Sequence, residues 1–151
     1  MRRALGIACY RIHHVGSTSV AGLAAVPIVD LMAELNDVSM YDMTRLRLLA
    51  HGYARTPGPS HCAAFVAQDA LTGCRTVELF LYPSGHEDVR VSVAFFAVLR
   101  AQPDVAVAYG IMKLQAHARH GADASGYVAE KQTWMRDHAQ LSHNLPLHPV
   151  R

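Results

Sequence analysis

Two hydrophobic periods alternate along this chain, and their changeovers outline its elements. Cys9 to Val15 is a short β-tolerant run that stops at Gly16-Ser17-Thr18-Ser19, where glycine permits tight backbone geometry and the hydroxyls can cap a following helix. That pattern predicts strand, loop and short helix. Pro27 breaks any helical continuation, and the mostly apolar run Ile28 to Leu35 predicts a largely buried strand with Asp30 set into it. After the turn residues Asn36 and Asp37, apolar residues at Met40, Met43, Leu46, Leu49 and Ala50 recur at helical spacing, and Gly52 stands where a C-terminal cap would lie. Residues 54–61, rich in Pro, Gly and Ser, read as a loop. Ala63 to Gln68 and Arg75 to Tyr82 read as strands around a Thr72-Gly73 turn and are expected to pair as a hairpin. Beyond Pro83-Ser84-Gly85, helices are expected over Val91 to Ala101, over Pro103 to His120 with Gly121 as the stop, and from a Ser125 cap to about Leu141. The tail from Ser142 carries Pro146 and Pro149 and is expected to be poorly ordered.

This order defines an α/β (α+β) chain, a small mixed β-sheet flanked by helices with a C-terminal helical cap. The length of 151 residues, with 51% hydrophobic and 17% charged, suits one core, so a single domain over residues 1–141 and a flexible tail over 142–151 are expected. A formal charge of +2 at pH 7 is too small to draw in long nucleic acid, although ten histidines would raise it in mild acid. Cys9, Cys62 and Cys74 form no CxxC spacing, which speaks against a disulfide framework or a zinc knuckle and for reduced thiols. No run approaches the roughly 20 apolar residues that span a bilayer. A cytoplasmic protein with no membrane partner is expected.

The candidate chemistry lies where the first strand ends. A Gly-Ser step there can offer backbone N–H groups and a hydroxyl to a phosphate without a charged side chain. Gly16, Ser17, Thr18 and Ser19 have those groups, although such a loop is more often a capped turn. A triphosphate is handled with a divalent cation, and Mg²⁺ takes oxygen ligands, usually carboxylates. Asp30, some twelve residues downstream, is the candidate ligand. A second carboxylate would belong two residues along the same strand face, at about 6–7 Å, and that position is Met32. Glu34 shares the face but stands roughly 13 Å from Asp30 by the same rise per residue. Glu78, the acidic side chain inside the Arg75 to Tyr82 strand, is the candidate partner, against the alternative that it faces solvent. Asp30 with Glu78 would hold one ion.

The run His14-Val15-Gly16-Ser17-Thr18-Ser19-Val20-Ala21-Gly22-Leu23-Ala24-Ala25-Val26-Pro27-Ile28-Val29-Asp30 resembles the signature of the GrpB family, His-Ile-Gly-Ser-Thr-Ser-Val-Pro-Gly-Leu-Ala-Ala-Lys-Pro-Ile-Ile-Asp. The likeness continues through His51-Gly52-Tyr53, Tyr82-Pro83-Ser84-Gly85, Leu99 to Pro103, Tyr109 with Lys113, and Tyr127 with Lys131. It implies a nucleotidyltransferase-like fold of the polymerase-beta type, in which an Asp-x-Asp or Asp-x-Glu pair follows the loop. It also implies a family whose substrate is generally unassigned, some members being fused to dephospho-CoA kinase. Departures from the family pattern are Ala21 for Pro, Val26 for Lys, Glu78-Leu79-Phe80 for His-Leu-His, and Phe95 to Arg100 for Phe-Arg-Asp-Tyr-Leu-Arg. The chain also begins closer to the signature than relatives with a helical N-terminal segment.

By the same resemblance Lys113 and Lys131 are candidates to neutralise phosphate charge as point cations, where the bland reading is a solvated helix face. Tyr109 and Tyr127 read as helix-packing residues. Of His13 and His14, which alternate across a strand, His14 is the candidate at the loop, to bond phosphate or to brace the loop itself. His117 and His120 read as surface residues. The leading expectation is therefore a protein that binds a nucleoside triphosphate through His14, Gly16, Ser17, Thr18, Ser19, Lys113 and Lys131. Mg²⁺ would sit on Asp30 and Glu78, serving nucleotidyl transfer to a small-molecule or protein acceptor. The rivals are a catalytically degenerate nucleotide-binding domain that has lost the second carboxylate, and a partner-binding module.

Overall fold

The computed structural model describes residues 2–139, so the end of the last helix at Leu141 and the tail from Ser142 lie outside the described residues. A short α1 (Arg2–Leu5) and a 3₁₀ turn at Gly6–Ala8 lead into β1 (Cys9–Val15). Then come β2 (Val29–Leu35), α2 (Tyr41–Ala50), β3 (Tyr53–Thr56), β4 (Ala63–Gln68) and β5 (Arg75–Pro83). Three helices close the described chain: α3 (Glu87–Ala101), α4 (Pro103–His120) and α5 (Ala124–Ala139). Contacts group the described residues into two compact units, 2–19 with 25–89, and 20–24 with 90–139.

The first unit is built on a five-stranded sheet of order β1-β2-β5-β4-β3. Its β2 and β5 run parallel and the other pairs antiparallel, which makes the mixed sheet that the element order implied. The parallel pair requires a crossover, which α2 and the β3-β4 hairpin supply. Period-two alternation decides what each face carries. Leu31, Ala33 and Leu35 of β2, Leu79 and Leu81 of β5 and Phe65 of β4 point to the face packed against Leu5 of α1 and Leu48 of α2. Burying a side chain of that size contributes about 1.5–3 kcal/mol. The other face carries Asp30, Met32 and Glu34 beside Glu78, Phe80 and Tyr82.

Several expectations are corrected. Residues 54–61 are not all loop, because Tyr53–Thr56 forms an edge strand on Ala64–Ala67 before Pro57-Gly58-Pro59 ends it. The helix over 40–50 forms, but Met43, Leu46 and Leu49 are exposed while Thr44 and Leu48 are buried. Ser17–Ser19 makes a 3₁₀ turn rather than the start of an α-helix. Helix α3 begins at Glu87, four residues ahead of Val91, with Glu87 and Asp88 in its first turn, where carboxylates complement the positive helix end. The cap of α5 is Asp123 rather than Ser125, since Asp123 Oδ1 accepts from the amides of Ser125 and Gly126, both at 3.1 Å.

The second unit centres on an aromatic cluster. Phe95 of α3 meets Tyr109 of α4 at 5.1 Å and Trp134 of α5 at 5.7 Å, both edge to face, the preferred arrangement of ring quadrupoles. Tyr109 thus packs helices, as its motif position suggested. Among the described residues no single helix is long and apolar enough to cross a membrane.

Candidate active site

The loop after β1 is a self-bonded turn. Gly16 lies at φ +72°, a left-handed backbone that only glycine adopts at little cost. Ser19 returns to it twice, donating from its amide at 3.1 Å and from its hydroxyl at 2.7 Å to the Gly16 carbonyl. Thr18 donates its hydroxyl proton to the Ile28 carbonyl at 3.3 Å, so the contact between Thr18 Oγ1 and His14 Nε2 at 3.0 Å is a donation from the imidazole. His14 and Thr18 therefore latch the start of the loop to the entry of β2. The brace that His14 makes runs through the Thr18 hydroxyl rather than directly to a backbone carbonyl. Ser17 stands at the start of the 3₁₀ turn, half-buried.

Asp30 is set against this turn. A Cβ placed on Gly16 would collide with Asp30 Oδ2 and stand 2.7 Å from its Cγ, so glycine is required here by contact as well as by φ. Across the sheet Asp30 is in register with Glu78 on the parallel strand β5. Neighbouring strands lie about 4.8 Å apart and in-register residues share a face, so the two side chains leave the same face of adjacent strands. Glu78 is half-buried and holds an ion pair with Arg75 at 2.9 Å. Among the described residues no group of three or more His, Cys, Asp and Glu could hold a metal ion. Asp30 and Glu78 are the two carboxylates that would be offered to one hard cation, which takes its remaining oxygens from phosphate or water. The pair does not fit two ions.

The next position along the face explains why. Met32 is 9% exposed and lies in register with His13 on β1 and Phe80 on β5, an apolar step between Asp30 and Glu34. Glu34 is engaged elsewhere, accepting from the Gly85 amide at 2.7 Å and bonded to His13 Nε2 at 2.7 Å. Burial alone would push its carboxyl up, but these bonds and the charges of His13 and Arg11 outweigh that and hold it below the ordinary carboxylate value. Sequence reading saw Glu34 only as a carboxylate too distant to serve. Its structural use rests on a turn 51 residues away, a pairing with no local signal.

Lys113 and Lys131 both belong to the second unit. Lys113 Nζ donates to the Ala24 carbonyl at 2.8 Å and lies over the Tyr109 ring, 5.3 Å from its centre. Lys131 lies over the Tyr127 ring at 6.0 Å. Burial, and then the like charge of Lys131, push the Lys113 ammonium below the usual lysine range. The bond to Ala24 was not foreseen. His120 is not a bare surface residue either, since it bonds Glu130 at 2.9 Å, and Arg119 pairs with the same carboxylate.

A mixed sheet with a glycine-serine turn between its first two strands and acidic residues on the adjoining face is consistent with a nucleotidyltransferase-like fold. Residues 1–141 match the family model described as GrpB protein. This chain belongs to the GrpB family. It is 30% identical over 83% of its length to the UPF0157 protein YqkA of Bacillus subtilis, and 32% identical over 80% to the UPF0157 protein SCO7215 of Streptomyces coelicolor. A dephospho-CoA kinase of Mycolicibacterium paratuberculosis is 27% identical over 91% of the chain. The aligned regions cover 36%, 62% and 40% of those three proteins, respectively. The crystal structure of the conserved protein GrpB from Enterococcus faecalis shares the fold, with a TM-score of 0.75 at 24% identity over 93% of this chain and 87% of that one.

Proposed function

We propose that this GrpB chain binds the phosphates of a nucleoside triphosphate at the Gly16–Ser19 turn, with one Mg²⁺ held by Asp30 and Glu78. The observation that carries this reading is the packing of the Asp30 carboxylate directly on Gly16, which makes the phosphate turn and the cation ligand one local structure. Ser17 and the turn amides are the groups offered to phosphate. His14, Thr18 and Ser19 hold the turn in shape through the bonds described above. A divalent ion held there supplies charge neutralisation for the phosphates. Transfer of a nucleotidyl group to a small-molecule or protein acceptor is the activity such a site would serve.

One observation favours a second reading, binding without transfer. Met32 stands in place of the second carboxylate and Glu34 is committed to Gly85 and His13, so the face offers no second ion its ligands. Thermal unfolding with ATP, GTP, CTP and UTP, each with and without Mg²⁺ or Mn²⁺, separates the cases, because a ligand of the native state alone raises the midpoint. We expect a metal-dependent rise with at least one nucleotide, lost in Asp30→Asn. No rise with any of the four overturns both readings. A rise that ignores metal and survives Asp30→Asn, with no pyrophosphate released, selects binding without transfer.

A further inference from the structure

The five residues after the phosphate turn, Val20–Ala24, group with the helices rather than with the sheet, although Ser19 immediately before them belongs to the sheet unit. Two contacts hold this strap to α4. Leu23 lies over Gly110, where even a Cβ would come within 3.3 Å of Leu23 Cδ1. One helical turn on, Lys113 Nζ donates to the Ala24 carbonyl at 2.8 Å. A bare glycine and a lysine three residues apart lie on one helix face, and the strap uses both.

We infer that Lys113 is a positioning residue, which fastens the strap through the Ala24 carbonyl and so sets the shape of the Gly16–Ser19 turn that the strap continues. This rests on the phosphate reading proposed above, and it gives Lys113 a different task from neutralising phosphate charge. A charged donor on a neutral carbonyl is stronger than a neutral pair, and Lys113, itself partly desolvated, has its ammonium pushed below the usual lysine range. The Tyr109 ring beneath it is 1% exposed and anchored against Phe95 and Trp134, so the lysine stem rises from a rigid base. Lys131 bears on Lys113 through its like charge, which makes it the control for a lost lysine in the ligand-free exchange.

The test uses the full chain in wild-type form and as Lys113→Met, Lys113→Arg, Leu23→Ala and Lys131→Met, each checked for folding by circular dichroism. Amide hydrogen exchange is read first, without ligand. We expect faster exchange in peptides covering residues 16–25 for Lys113→Met and for Leu23→Ala, near wild-type exchange for Lys113→Arg and Lys131→Met, and no change in α5. Unchanged exchange over 16–25 in Lys113→Met overturns the inference whatever the ligand does. Inorganic triphosphate with Mg²⁺ is then titrated at several salt concentrations. Lys113→Met is expected to weaken binding roughly tenfold with the salt dependence of wild type. A weaker salt dependence, the mark of a lost contact with the anion, overturns positioning, as does unchanged affinity. If wild type binds no triphosphate, the phosphate reading fails while the exchange result still decides whether Lys113 fastens the strap.

Discussion

At Gly16 two demands meet on one Cα, a left-handed φ of +72° and the Asp30 carboxylate pressed against the place a Cβ would take. They can be separated. Gly16→Ala is expected to lower stability by about 1–2 kcal/mol from backbone strain alone, and further from the collision with Asp30. In the double variant Gly16→Ala with Asp30→Ala the collision with the carboxylate is gone, while a 2.8 Å approach to the Asp30 Cβ and the strain stay. Urea denaturation should therefore show the double variant more stable than the sum of the two single effects. Strict additivity would mean that the carboxylate does not lean on the turn. Sequence reading reached both residues, through the signature, but not their contact. A glycine that could serve any turn carries no local mark of what lies above it.

At the scale of elements, Glu34 joins three of them, bonding His13 on β1 and the Gly85 amide between β5 and α3 while standing on β2. Its carboxyl sits below the ordinary value of 4.5, so the folded chain binds that proton more weakly than the unfolded chain does. The stability this contributes is present above 4.5 and is lost as pH falls through the lowered folded value. Glu34→Gln should remove this part of the acid-induced loss, seen as a shallower decline of the unfolding midpoint below pH 4.5. It should also cost roughly 1–3 kcal/mol at neutral pH, where the charged acceptor of the Gly85 amide is replaced by a weaker neutral one. A decline of unchanged steepness would sink the linkage. Elements marked by strict alternation or by Pro and Gly ends were legible: β1 and β4 match their expected spans, and α4 runs from Pro103 to His120 as read. The face of α2 was not, because Met43, Leu46 and Leu49 repeat at helical spacing yet point outward, and only the sheet determines that Thr44 and Leu48 turn inward. The edge strand β3 was masked by the Pro-Gly-Pro run that follows it.

For the whole molecule, the mixed sheet and terminal helices follow from element order, whereas the grouping into two units does not. Residues 20–24 join a unit whose other members begin at residue 90, and no composition change announces that. Helix α3 runs from Glu87 to Ala101, so the boundary between Val89 and Arg90 falls inside one element of the chain. Trp134 is the chain's one tryptophan and lies in the aromatic cluster with Phe95 and Tyr109, so its fluorescence reports the second unit. We expect fluorescence and far-ultraviolet circular dichroism to give coincident urea transitions, the mark of a single cooperative step. Separate midpoints would show that the helix melts in two parts.

Met32 carries a consequence of another kind. Replacing it with aspartate would restore the missing acidic pair in composition, but the site is 9% exposed and flanked in register by Phe80. A bare carboxylate there incurs the cost of burying charge before any cation rewards it. An acid at position 32 is therefore tolerated only if Phe80 and its neighbours open enough to let water or a cation reach it.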